Sequence, residues 1–112
     1  MPELPEVEVT RRALAPHIEG NSVEKLDIRE TRLRWPIKIG LLRRIEHKTV
    51  TSITRRGKYI LINTSSGTAM IHLGMSGSMG IFDQFVPPKK HDHFDIHLSN
   101  KKIIRFNDPR RF

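Results

Sequence analysis

His93-Phe94-Asp95-Ile96-His97-Leu98, then Ser99-Asn100-Lys101, then Lys102-Ile103-Ile104-Arg105-Phe106-Asn107 is the stretch whose reading decides the fold. The first run alternates polar and apolar residues, the period of a strand with two unlike faces, and places Phe94, Ile96 and Leu98 together. A short polar turn joins it to the second run, so the two predict a β-hairpin that Asp108-Pro109 terminates. Further strand runs precede it. Thr49 to Arg56 is rich in β-branched residues, and after an interruption at Gly57 the run Lys58 to Asn63 continues as a nearly continuous apolar strand. Ser65-Ser66-Gly67 predicts a turn into Thr68 to Leu73, and Val23 to Arg29 reads as a strand with Leu26 and Ile28 on one face. Gly74-Met75-Ser76-Gly77-Ser78-Met79-Gly80 is too rich in glycine for an element interior and reads as a loop; Pro87-Pro88-Lys89-Lys90 reads as a connector.

At the other end of the chain, Pro5 to Ala15 predicts a helix. Proline suits a first helical turn, Glu6 and Glu8 suit its positive end, and Arg11 and Arg12 suit its negative end. Glu8 and Arg12 form an i,i+4 pair, and Pro16 is the expected stop. Gly20-Asn21 reads as a turn, and Ile37 to Arg44 as a short helix weakened by Gly40. Many short strands with one N-terminal helix give a mainly β fold with flanking α structure: a two-layer β-sandwich or flattened barrel with that helix packed against it. At 112 residues the chain is one domain with one modest core.

Composition narrows the function classes. Lys and Arg total 20 against 12 Asp and Glu, a net charge of +8, with an isoelectric point near 10.5. Such an excess in a small domain favours a polyanionic partner, although basic residues also serve solubility alone. No apolar run of about 18 residues could cross a membrane as a helix. Glu3, Glu6 and Glu8 stand where a secretory signal would have basic residues. There is no cysteine, hence no disulfide framework and no thiolate zinc site in this stretch. We expect a cytoplasmic monomer.

Four groups of residues could carry chemistry. Removal of Met1 would leave Pro2 with a free secondary amine, partly unprotonated near neutral pH because α-amino groups titrate at roughly 7.7–8.0. Such an amine can attack an electrophilic carbon and form an iminium, with Glu3 beside it to move a proton. Most Met-Pro starts do nothing of the kind. Lys58, behind Arg55, Arg56 and Gly57, is a point charge at a strand head, which reads equally as a solvated strand end. Met75, between glycines, is either a loop residue that packs inward or a flexible apolar wedge. His91, His93, Asp95 and His97 share one strand face, a set suited to zinc or iron, and also the ordinary polar face of an amphipathic strand. Trp35, the single tryptophan, reads as a core or cover residue.

PELPEVE at the start, then RRGKYIL, HLGMSG, HDHFDI and NDPRRF, together resemble the N-terminal domain of bacterial formamidopyrimidine-DNA glycosylase, from Met1 to Phe112. Leu4 and the HLGMSG loop favour this purine-repair branch over the related endonuclease VIII branch. The resemblance implies base-excision repair of duplex DNA: removal of 8-oxoguanine and ring-opened purines through a Schiff base on Pro2, then strand cleavage by β,δ-elimination. By the same resemblance Glu3 is the proton donor and Lys58 contacts phosphate and assists cleavage. Met75 fills the gap left by the everted nucleotide, Arg110 reads the unpaired cytosine, Phe112 is a wedge, and His91 and His72 contact the DNA. Arg111 is given no role. No metal is needed for that chemistry, and no cofactor is expected in this stretch. The family's helix–two-turn–helix and four-cysteine zinc finger, with one structural zinc, belong to a C-terminal lobe that residues 1–112 do not include. The isolated domain is therefore expected to bind DNA weakly and to excise little. Two other classes remain: a non-catalytic nucleic-acid-binding module, and a metal-dependent hydrolase using the His91–His97 strand.

Overall fold

The computed structural model describes residues 4–30, 42–73 and 76–109. The order is helix α1 (Leu4–Ile18), β1 (Val23–Ile28), a 3-10 turn (Arg43–Ile45), β2 (Val50–Arg56), β3 (Tyr59–Thr64), β4 (Gly67–His72), β5 (Ser78–Asp83), β6 (Asp92–Leu98) and β7 (Lys102–Asn107). These form two antiparallel sheets, one of four strands in the order β1-β6-β7-β5 and one of three in the order β2-β3-β4. The mainly β class with an N-terminal helix is thus as expected.

The core collects the apolar sides of both sheets and one side of α1. Val7, Leu14 and Ile18 of the helix meet Ile53, Ile60, Ile62 and Ile71 of the smaller sheet and Phe94, Ile96, Ile104 and Phe106 of the larger, all essentially without exposed surface. Phe94 and Phe106 are paired across β6 and β7 with rings stacked at 5.0 Å.

Three expectations are corrected. The helix does not stop at Pro16 but runs to Ile18. A proline removes one amide donor to the preceding turn, but here the buried Ile18 side chain rewards one more turn, and Asn21 and Asn100 both donate to the His17 carbonyl at 3.1 and 2.8 Å. Gly57 does not merely interrupt a strand. It opens a two-residue hairpin loop, Gly57-Lys58, closed by the Arg56–Tyr59 pair, and its φ of +59° is one that only glycine enters without cost. Finally, Ser78 to Gly80 are not loop. They begin β5, whose residues pair in register with β7, Gly80 opposite Arg105. Glycine is tolerated there because the Phe82 ring folds back over it, 3.2 Å from where a Cβ would stand. Most of the expected helix 37–44, and Trp35, lie outside the described residues.

Candidate nucleic-acid interface

The strand registers bring the nominated positions to one end of the two sheets. In the smaller sheet that end holds the Gly57-Lys58 loop, Tyr59, and His72 directly opposite Tyr59, with the two rings 4.9 Å apart. His72 is buried, so its ring is fixed against Tyr59 rather than free in solvent. In the larger sheet the matching end holds Ser78, Asn107 and Asp92 side by side, with His91 just before β6. Between β4 and β5 the Gly77 N–H donates to the Leu73 carbonyl at 2.9 Å. A Cβ on Gly77 would collide with that carbonyl oxygen, so the approach requires glycine.

The helix is clamped to the same end. It runs antiparallel along β2: Gly20 donates to Val50 beyond its C-terminus, and Glu8 meets Arg55 near its N-terminus. The start of α1 therefore points toward the loop carrying Lys58. Glu8 holds three guanidinium groups, accepting from Arg11 at 2.6 and 2.9 Å, from Arg12 at 2.8 Å and from Arg55 at 3.1 Å. The expected Glu8–Arg12 pair is one part of this larger cluster. Arg55 also donates to the Gly57 carbonyl at 3.0 Å. A continuous chain thus leads from the first turns of the helix to the residue before Lys58. Hydrogen bonds from Arg11, with Arg12 and Arg55 adding to them against a partial burial, hold the Glu8 carboxyl far below the usual carboxylate range.

Asp108 joins the remaining pieces. It is fully buried. Its carboxylate accepts from the Ser76 hydroxyl at 2.7 Å, its N–H donates to the His91 carbonyl at 3.1 Å, and its own carbonyl accepts from His93 Nε2 at 2.6 Å. The sequence marked Asp108 only as a strand terminator. An aspartate before proline commonly bonds nearby backbone, and that was the signal available for a larger role.

The polar face of β6 is not an open ligand set. His93 is engaged by Asp108, and Asp95 is buried between Arg29 (2.8 and 3.1 Å) and Arg105 (2.8 and 3.0 Å). Burial pushes the Asp95 carboxyl up, but the hydrogen bonds and charges of Arg105 and Arg29 more than offset this and keep it below its ordinary value. Among the described residues, the group with donor atoms close enough for a metal is Asp27, Asp95 and His97, within 4.8 Å of one another. It includes neither His91 nor His93, and Arg29 already bridges Asp27 and Asp95. Burial first, then the charge of Lys25, lowers the His97 pKa; its Nε2 is buried with no hydrogen-bond partner among the described residues. Elsewhere on that face a recess of about 370 Å³ lies between β5 and the 84–91 connection, lined by Met79, Phe82, Val86, Pro87 and Arg105. Among the described residues, no nominated one borders it.

Of the nominated residues, Lys58, His72 and His91 are brought to one end of the fold, and Pro2, Glu3, Met75, Arg110 and Phe112 lie outside the described residues. The chain segments leading to all five nevertheless emerge at that same end: α1 toward Pro2 and Glu3, Leu73 and Ser76 on either side of Met75, and Asp108-Pro109 toward Arg110 and Phe112.

This helix-led pair of antiparallel sheets, which carries Lys58, His72 and His91 at one end, has the fold of solved DNA glycosylases, and the sequence match is to the same class. Residues 1–112 match the formamidopyrimidine-DNA glycosylase N-terminal domain, and the chain belongs to this family. Among relatives, it is 53% identical to the formamidopyrimidine-DNA glycosylase of Shewanella amazonensis and 54% identical to that of Vibrio atlanticus, in each case over all of this chain and 41% of the relative. It therefore spans about two-fifths of the length of these relatives. Its fold superposes with a TM-score of 0.87 on the Lactococcus lactis formamidopyrimidine-DNA glycosylase bound non-covalently to DNA containing an AP site, at 29% identity over 99% of this chain and 43% of that one. A complex of the same lactococcal enzyme with DNA containing FAPY-dG gives 0.86 over 98% of this chain and 42% of that one.

Proposed function

We propose that this domain is the nucleophile-bearing half of a bifunctional DNA glycosylase and AP lyase acting on oxidised purines in duplex DNA. The observation that carries the reading is the Glu8–Arg55–Gly57 chain, which ties the helix leading back to Pro2 to the hairpin loop of Lys58, within a chain that matches the family from end to end.

The Pro2 amine attacks C1′ of a nucleotide rotated out of the stack, and the N-glycosidic bond breaks with its electron pair leaving on the base. Glu3 protonates the ring oxygen as the sugar opens, which leaves an iminium between Pro2 and C1′. Loss of a C2′ proton expels the 3′ phosphate, and a second elimination expels the 5′ phosphate. Water then releases Pro2. Lys58 holds the phosphate charge during these steps. Met75 and Phe112 occupy the gap in the stack, Arg110 pairs with the orphaned cytosine, and His91 and His72 contact the DNA, His72 through whatever edge its packing on Tyr59 leaves open.

No step is routed through a metal. A structural zinc on four cysteines, as expected of a C-terminal lobe, would find no cysteine in residues 1–112, and in the Asp27–Asp95–His97 group the Asp95 carboxylate is already bonded to two arginines. Borohydride trapping on a duplex with one 8-oxoguanine opposite cytosine tests the reading, after mass spectrometry has shown that Met1 is absent. We expect an adduct mapping to Pro2 in the full-length protein and a much weaker one in residues 1–112, with binding that falls steeply as salt rises. Full excision by Pro2→Gly would overturn it.

A further inference from the structure

Asp92 is buried, although no step of the proposed reaction uses it. A carboxylate so placed is unfavourable unless it is well bonded, and its bonds shape the turn that precedes it. Asp92 Oδ2 accepts from the Lys89 N–H at 2.7 Å, and the Asp92 N–H donates back to the Lys89 carbonyl at 3.0 Å. Oδ1 accepts from the Asn107 side chain at 2.9 Å, and the Asp92 carbonyl accepts from Arg29 Nε at 2.7 Å. Burial pushes the carboxyl up, but the Lys89 N–H and the Asn107 amide more than offset this and keep it below its ordinary value. Pro87 and Pro88, each with a fixed φ, lead into the turn, and beyond it the His91 carbonyl accepts from the Asp108 N–H at 3.1 Å. Lys89, Lys90 and His91 are therefore held in one turn, clamped in both directions by Asp92.

This turn presents donors. Lys89 and Lys90 are exposed, and neither ammonium meets a carboxylate among the described residues. The N–H groups of Lys90 and His91 have no partner there either. Asp92, the carboxylate beside them in sequence, is taken up by Asn107 and by the Lys89 backbone. Two adjacent amides, two ammoniums and an imidazole on a fixed turn suit an anion with several oxygens. The turn lies at the end of the larger sheet that holds Ser78 and Asn107, the end to which Lys58 and His72 are also brought.

We propose that Lys89-Lys90-His91 is a phosphate-binding turn of the DNA interface, taking neighbouring backbone phosphates of the duplex, and that Asp92 is the positioning residue that holds it. The inference rests, for its partner, on the glycosylase reading above. It extends the contact nominated at His91 to a built site that reads no base.

The test is binding of the full-length protein to an undamaged duplex, followed by fluorescence anisotropy across a salt series, so that neither lesion readout nor Pro2 chemistry enters. We expect Lys89→Gln and Lys90→Gln each to lower the slope of log affinity against log salt by about one, since each phosphate neutralised contributes roughly 0.9. Lys101→Asn loses the same charge at the opposite end of the β6–β7 hairpin, in a residue type that suits its φ of +69°, and should leave the slope unchanged. Asp92→Asn separates positioning from charge. Removing a negative charge beside DNA would by itself tighten binding, whereas loss of the clamp should weaken it about fivefold at fixed salt, the scale of one hydrogen bond. Parental slopes in both lysine variants, or an equal fall in Lys101→Asn, overturn the phosphate turn. Unchanged or tighter binding by folded Asp92→Asn overturns the role of Asp92, and if that variant does not fold the lysine variants decide. Borohydride trapping by the parent on an abasic duplex is the separate check: absence of an adduct overturns the glycosylase reading, while the slopes still decide the turn.

Discussion

Replacing Asp95 by asparagine should unfold the domain at a markedly lower temperature, and the size of the effect follows from its surroundings. Asp95 and Arg105 are each about 3% exposed at the side chain, while Arg29, the second partner, is 26% exposed. Removing one member of a buried ion pair costs about 3–5 kcal/mol, because the partner charge is left desolvated. Arg29 can recover water and Arg105 keeps its bond to the Val86 carbonyl and its place over the Phe82 ring, so the lower end, about 3 kcal/mol, applies. With an unfolding entropy of roughly 2.1 cal/mol/K per residue, 112 residues convert that loss into a midpoint about 13 °C lower. Thermal melts followed by circular dichroism at neutral pH, each with and without EDTA, measure it. The chelator should leave the parent midpoint where it is, since the Asp95 carboxylate serves arginine and not a cation. A drop under about 3 °C for Asp95→Asn would refute the assignment, since that is below the roughly 4 °C expected for even 1 kcal/mol. A parent midpoint that falls in EDTA would refute it too, and would revive the metal reading of β6.

Acid should act in two stages. Because His97 is held neutral in the fold, the unfolded chain binds more protons as pH falls below about 6.5, so stability declines from there toward the folded value. Glu8, Asp92 and Asp95 are all depressed, so their contribution is complete above the ordinary carboxylate range near 4 and is lost as pH falls below it; pH-dependent melts of the parent and of His97→Gln should separate the stages, the variant losing only the upper one. Gly77→Ala should cost about 1–3 kcal/mol by forcing the Leu73 carbonyl and the Phe106 ring apart. Urea denaturation would show this as a lower midpoint with an unchanged slope, and an unchanged midpoint would mean that Leu73 and Phe106 give way freely.

The hairpin of β6 and β7 was legible because period-two alternation survives there, and tertiary contacts agree with it: Phe94, Ile96 and Leu98 do face the core. What alternation could not reveal is that the opposite side of β6 is buried as well, since a histidine-aspartate face reads as solvated until Arg29 and Arg105 arrive from β1's end and from β7. β5 was lost for a similar reason. Its glycines signal a loop locally, and only the six-residue register with β7 imposes an extended chain. The site shows the same division. Lys58, His72 and His91 stand out as residue types, yet their common location depends on the Gly57 turn converting one apparent strand into a hairpin, which puts Lys58 at a tip beside the helix. The Glu8 cluster was half visible, since Arg12 lies at helical spacing, whereas Arg55 is 47 residues away in sequence.

This arrangement also bears on the meaning of the +8 charge. A basic excess would serve solubility alone if its cations were spread over the surface, but several arginines are not available as surface charge. Arg11, Arg29 and Arg105 are committed to carboxylates on or below the surface, and Arg55 divides itself between Glu8 and the Gly57 carbonyl. These cations act as braces, holding the helix to β2 and the edge strand β1 to β6. On the proposed glycosylase reading, phosphate contact is left to lysines and to the arginines outside such braces, and an interface built this way should respond differently to two kinds of substitution. Neutralising Lys58 should reduce the salt dependence of DNA binding by about one counterion, uniformly across sequences. Neutralising Arg55 should leave that slope nearly unchanged and weaken trapping at Pro2 instead, because it acts on the alignment of the helix with the Lys58 loop and not on the DNA charge.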